Sequence, residues 1–272
     1  MFRNAARGSC GPRFSRGLCA LASLGGAFAL AMSSAQAAPP LFTEDAETAA
    51  RGELGVELWL EGMRSDGDHV GLGWAELAFG ATEWLEIAAA VGVGIDDEGG
   101  ATLPNPYAHL KFELYGGDGG TLSSLGVMAL AVAPVGLGAA RDDGTALGAI
   151  APATFSFADD RVLTHLHAGV TAAVTGERTA RPFWGVGVEL DVPRAPIDWL
   201  GEVSAGDPFD PGGPRMGVQT GVMWEVIEGV AIDASLAAMA EDAVTSSIDE
   251  WIARLGVSWD VDLLSAPADR EE

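Results

Sequence analysis

The sequence predicts an all-β fold: an antiparallel, up-and-down transmembrane β-barrel of about 12 strands behind a cleaved N-terminal signal peptide. Three observations carry this. Hydrophobic residues recur with a two-residue period along most of the chain. The alternating segments run roughly 10–13 residues, the length a tilted strand needs to cross a bilayer. The connections between them alternate between short and long.

The leader is set aside first. Arg3, Arg7, Arg13 and Arg16 form a basic start, residues 18–32 are a short apolar stretch broken by Gly25 and Gly26, and Ala35-Gln36-Ala37 fits a small-x-small cleavage site. Residues 1–37 therefore read as a signal peptide, 38–51 as a periplasmic N-terminal segment, 52–262 as the barrel and 263–272 as a polar C-terminal tail. Beyond the leader no apolar run approaches the roughly 18 residues of a membrane helix.

The first strand sets the pattern. In residues 52–62 (GELGVELWLEG), Leu54, Val56, Leu58 and Leu60 fall on one face and Glu53, Glu57 and Glu61 on the other. Successive side chains of a strand point to opposite sides, so the segment has a greasy face and an acidic one. Wound as a helix, the four apolar residues would scatter. The same period returns in residues 83–94, where Leu85, Ile87, Ala89, Val91 and Val93 oppose Trp84 and Glu86. In residues 106–115, Ala108, Leu110, Phe112 and Leu114 oppose Tyr107, His109, Lys111 and Glu113. Residues 182–192, 215–226 and 250–262 repeat it. The expected strands are 52–62, 70–81, 83–94, 104–115, 122–133, 147–157, 162–174, 182–192, 196–206, 214–226, 229–240 and 250–262.

Short turns are expected at 81–82, 116–121, 158–161, 193–195 and 227–228. Longer polar loops are expected at 63–69, 96–103, 134–146, 175–181, 207–213 and 241–249. Short turns on one side and longer loops on the other match outer-membrane barrels. In lipid every backbone N–H and C=O needs an internal partner, so such a sheet must close. A soluble β-sandwich or lipocalin-like barrel also alternates, but it turns its apolar face inward and uses shorter strands.

Composition narrows the function. The net charge is −24, and the first 37 residues contain no acid, so the remainder is more acidic still. That opposes nucleic-acid binding, which needs a basic patch. Both cysteines, Cys10 and Cys19, fall in the leader, which excludes a thiol nucleophile, a Cys-ligated zinc and a disulfide from the exported part.

Residues 40–47 (PLFTEDAE) followed by Arg51-Gly52-Glu53-Leu54, the hairpin at 76–87 (ELAFGATEWLEI), and the stretches 165–170 (HLHAGV) and 254–259 (RLGVSW) resemble the putative meta-pathway of phenol degradation family. The resemblance runs over roughly residues 40–262. It implies an outer-membrane, transporter-like barrel and an association with aromatic compounds; it carries over no catalytic or binding residues.

The acidic face supplies the candidate site. The residues expected to line the lumen are Glu53, Glu57, Glu76, Glu86, Glu113, Glu189, Glu202 and Glu225, with Lys111, Arg215, Arg254, His165 and His167. A closed wall with charged rings selects permeant ions by sign, and acidic excess favours cations; alternatively, carboxylate–Arg pairs fill the lumen as a structural network. His165 and His167 share a strand face that suits a metal or, more simply, a hydrogen-bond network. The loop acids Asp96-Asp97-Glu98 and Arg141-Asp142-Asp143 offer a cation site or a solvated surface. No G-x-S-x-G elbow or Ser/His/acid set is evident. The expectation is a non-enzymatic outer-membrane channel or transporter for small molecules, hydrophobic or aromatic ones among them, with no catalytic residue, cofactor or metal. A plugged surface barrel and an outer-membrane hydrolase are the alternatives. The partners expected are outer-membrane lipid and lipopolysaccharide, the assembly machinery and a small-molecule cargo.

Overall fold

A computed structural model describes residues 43–65, 68–117, 121–140, 144–175, 179–193, 195–209, 216–240 and 248–264. The signal peptide expected at 1–37, residues 38–42, Arg215, residues 141–143 with their expected loop acids and the expected tail residues 265–272 lie outside them. The long strands are β1 (Glu53–Ser65), β2 (Asp68–Thr82), β3 (Leu85–Asp96), β5 (Tyr107–Gly116), β6 (Leu122–Val132), β7 (Ala146–Phe157), β8 (Val162–Ala173), β9 (Ala180–Asp191), β10 (Ile197–Ala205), β11 (Met216–Ile227), β12 (Val230–Ala240) and β13 (Glu250–Asp262). A two-residue β4 (Ala101–Thr102) lies between β3 and β5. Each long strand pairs antiparallel with the long strand before and after it, and β1 pairs with β13 from Glu53↔Asp262 to Ser65↔Glu250. The result is the closed twelve-strand barrel the alternation predicts, in which no long strand is left with an unpaired edge.

The greasy face points outward. Leu58, Leu60, Val91, Val93, Val218 and Leu255 are exposed, and Leu60 keeps 64% of its surface accessible. The buried polar side chains, including Glu61, Glu86, His109, Lys111, His165, Glu189 and Glu202, point inward. This inverts a soluble barrel. A belt this apolar in water would be an aggregation surface; acyl chains are the solvent that suits it. Trp84, Phe157, Trp199 and Trp224 are exposed at or near the tight-turn end of the barrel, and Trp184 and Trp251 nearer the opposite end. Aromatic rings gather at both membrane–water interfaces for the same reason.

Three expectations need correction. The loop expected at 63–69 is absent as such, because the β1–β2 ladder continues to Ser65↔Asp68; the extension carries few outward apolar residues, so hydrophobic pattern alone did not mark it. The strand expected from 104 begins at Tyr107, because residues 103–105 fold over the barrel mouth. There Leu103 bridges Leu137, and Asn105 Oδ1 accepts from the Gly136 N–H at 2.9 Å. The polar loop 134–146 is thus partly drawn into the mouth, capped by Thr102, whose Oγ1 donates to the Leu137 carbonyl at 2.9 Å. Third, the N-terminal segment does not stay outside as a periplasmic lead-in. Residues 43–50 run inside the barrel, because their backbone and side chains find partners on the polar inner wall.

Candidate functional site

The N-terminal segment enters at the tight-turn end and climbs obliquely along the wall from β3 to β10. Gly80, Gly126 and Gly185 make room for it. A Cβ at Gly80 would overlap the Ala50 carbonyl, and one at Gly126 would sit 3.2 Å from the Ala46 carbonyl. The segment is then pinned by hydrogen bonds. The Ala49 N–H donates to Glu86 Oε2 at 2.8 Å, the Ala46 N–H to Thr154 Oγ1 at 3.3 Å and the Glu44 N–H to His167 Nδ1 at 3.2 Å. Thr48 Oγ1 donates to Glu113 Oε2 at 3.3 Å, and Thr43 Oγ1 to Glu202 Oε1 at 2.8 Å. Backbone N–H groups taken out of water need such partners.

Lys111, the single lysine of the chain, is the electrostatic anchor. Its Nζ lies 3.3 Å from Asp45 Oδ1 and 3.5 Å from Glu86 Oε1, and Glu86 Oε1 also meets His109 Nε2 at 3.2 Å. A lysine this deeply buried is tolerable only when paired. On the segment itself, burial pushes the Glu44 carboxyl above its ordinary range. Lys111 and His109 oppose that rise, and Glu76 and Asp45 add to it.

The segment occupies one side of the lumen. Beside it there remains a cavity of about 650 Å³, lined most heavily by β13, β1 and β2 and reaching across the segment to residues of β3, β5, β7, β8 and β9. Its lining runs on β1 from Glu53, near the tight-turn end, to Met63 near the opposite mouth. At about 3.4 Å of rise per residue, that covers most of the barrel's length. The cavity is strongly acidic: Glu53, Glu57, Glu61, Glu76, Asp233 and Asp260 line it, against Arg254 and Lys111. Both cations are already engaged. Arg254 Nε sits 2.6 Å from Glu61 Oε2, and Lys111 is held as described.

Two successive rungs of the β1–β2 ladder define the middle of this cavity. Glu57 faces Glu76 directly, and on the same inward face Trp59 faces Trp74. The indoles stack with centroids 5.7 Å apart and planes 11° from parallel. Trp74 lies 6.0 Å from Tyr107, which lies 4.7 Å from Phe209, so an aromatic arc climbs toward the mouth. Tyr107 Oη donates to Glu76 Oε2 at 2.5 Å and so ties the acidic rung to the arc. Both indole Nε1 atoms are buried without a partner among the described residues, which costs about 1–3 kcal/mol per group.

Of the residues singled out in the sequence, Glu53, Glu57, Glu76, Glu86, Glu189, Lys111, Arg254 and His165 line the cavity. Glu113, Glu202 and His167 hold the N-terminal segment. Glu225 has the inward parity on β11 but is exposed at the tight-turn end. His165 and His167 are not brought together on a metal. His165 Nδ1 is 3.2 Å from Thr154 Oγ1 and its Nε2 is 3.8 Å from Glu189, while His167 packs edge-on against Phe183. Among the described residues no group of three or more His, Cys, Asp or Glu is placed to hold a metal ion. The aromatic arc was missed. Trp59 and Trp74 share parity with Glu57 and Glu76, which was visible in the sequence; their cross-strand pairing was not.

No protein-family model matches the chain and no curated protein matches its sequence, so the resemblance to the phenol-degradation family rests on its motifs alone. Solved structures do match. The chain is similar to an outer-membrane channel from Pseudomonas putida F1, with a TM-score of 0.61 at 10% identity over 79% of this chain and 98% of that one. It is also similar to the KdgM porin solved with disordered oligogalacturonate (TM-score 0.52, 7% identity, 75% and 98% covered) and to the NanC porin (0.51, 8%, 74% and 98%). At such identities the likeness is one of fold.

Proposed function

We propose that this chain is a passive outer-membrane channel for small molecules, preferring cations, in which solute passes along the β13–β1–β2 side of a lumen half-filled by residues 43–50. The observation that carries the reading is the continuous acidic cavity along β1, whose two cations are both spoken for by carboxylates. A path with surplus negative charge inside a low-dielectric wall attracts cations and repels anions. The outward apolar belt with its aromatic ends supports the membrane location, and the fold shared with channels and porins supports transport by analogy. The aromatic-compound association of the phenol-degradation family stays within this reading as a finer expectation about cargo.

An enzymatic reading finds little support: the inward histidines face Thr154, Glu86, Glu189 and the N-terminal segment, with no serine–histidine–acid relay among the described residues. Purified protein reconstituted in planar bilayers should give discrete conductance steps. A barrel that inserts, as judged by heat-modifiable migration, and never conducts would contradict the proposal.

A further inference from the structure

The two central rungs of the cavity pose a physical puzzle. Like charges directly opposite each other on one face of a sheet are destabilising, yet Glu57 sits opposite Glu76. Glu76 is tied to Tyr107, whereas Glu57 has no hydrogen bond or ion pair among the described residues, and the nearby cations are committed elsewhere. Immediately above this uncompensated pair stand Trp59 and Trp74, with Tyr107 beside them. All four rung side chains line the cavity, and small neighbours let them seat there. On β13 the partners of Glu57 and Trp59 are Ser258 and Gly256, the latter leaving room for the Asp233 carboxylate, and on β3 the partner of Trp74 is Gly92, whose missing Cβ admits the indole and the Pro104 ring.

We infer that this box binds a small organic cation of the quaternary or alkyl-ammonium class, with its positive centre between the Glu57–Glu76 rung and the aromatic side chains above. The inference rests on the channel reading for its biological sense, since the bound cation would be the cargo or a blocker of the path. The box answers both halves of such a ligand. Carboxylates offset its charge, and aromatic rings attract a cation while accepting its apolar substituents. A bare metal ion would use the carboxylates but gain nothing from the tryptophans, and a neutral apolar molecule would leave the carboxylate pair uncompensated. The cavity's volume, about 650 Å³, falls within the range of small-molecule sites.

The test is calorimetry on the full-length barrel in detergent at physiological potassium chloride, using an isosteric series: choline, neutral 3,3-dimethyl-1-butanol and anionic 3,3-dimethylbutanoate. Choline should bind about tenfold or more tighter than the neutral isostere, and the anion should not bind. The Glu57→Gln/Glu76→Gln pair should weaken choline about tenfold, and Trp74→Leu several-fold, with heat-modifiable migration retained as the check on folding. Glu98→Gln, on an exposed loop, should leave binding unchanged. Equal binding of choline and its neutral isostere, no binding at all, or indifference to both sets of substitutions would overturn the inference. The wild-type ligand series decides even where a variant fails to fold. Conduction without choline binding would remove this inference and leave the channel reading; binding without conduction would do the reverse.

Discussion

On the β3-to-β10 side of the lumen most inward polar residues are engaged with one another or with residues 43–50, Ser124 Oγ and His165 Nε2 being buried without a hydrogen bond among the described residues. Lys111, Glu86, His109, Thr154, His167 and Glu202 all have protein partners within hydrogen-bond or ion-pair range. On the β13–β1–β2 side the same alternation delivers Glu57, Glu76, Asp233 and Asp260 to a cavity wall, and Arg254 is the cation among them. One periodic pattern therefore yields a half stoppered by residues 43–50 and a more open half with surplus carboxylates. Closure of the sheet supplies an inner face, and the short segment laid against it decides which part of that face stays available to solute.

The largest effect should come from removing the stopper. Deleting residues 43–50 is expected to raise single-channel conductance several-fold and to blunt cation preference, measured in planar bilayers; unchanged conductance would mean the segment does not narrow the path. Next is its anchor. Lys111→Met strips Asp45 of its cation and leaves Glu86 with His109 and the Ala49 N–H alone, and should destabilise the barrel by about 3 kcal/mol, read as a lower temperature of the heat-modifiable transition. On the open half the expectation has the opposite sign. Glu57→Gln with Glu76→Gln removes a facing pair of like charges and should leave stability unchanged or raised by ~0.5 kcal/mol, while reducing cation selectivity in a reversal-potential measurement.

A smaller, pH-linked effect belongs to Glu44. Its carboxyl is held above the ordinary 4.5 when the segment is docked, so the docked form holds its proton more tightly than the undocked one. Docking is therefore strongest below about 4.5 and weakens as pH rises through the raised value. Conductance should fall on acidification, and Glu44→Gln should flatten that dependence. The smallest effect is expected from Glu225→Gln at the exposed rim: a stability change within about ±0.5 kcal/mol and no shift in reversal potential.

The strands were legible because each face of this sheet meets one uniform medium, so a two-residue period survives for ten residues or more. Leu54 to Leu60 against Glu53 to Glu61 is enough to give both the strand and its sidedness. The stopper was not legible. Residues 43–50 have no period, and their contacts, such as Thr43 to Glu202 and Glu44 to His167, join positions more than a hundred residues apart. Lys111 was noticeable as the lone lysine, but its partner Asp45 follows from the stopper alone. The division of the carboxylates into spent and available ones likewise depends on three-dimensional pairing. Glu86 and Glu57 look alike in sequence, yet one is held by Lys111 and His109 and the other faces Glu76.

Because the described residues contain no cysteine, single cysteines can map the two halves directly. Ala78→Cys, on the open cavity wall, and His167→Cys, beneath the N-terminal segment, would each be exposed to a cationic thiol reagent while current is recorded. Modification and block should be rapid at position 78, and position 167 should be protected until residues 43–50 are deleted. Equal reactivity at both positions in the intact protein, or protection at 78, would contradict the claim that solute passes along β1 beside a stoppered half.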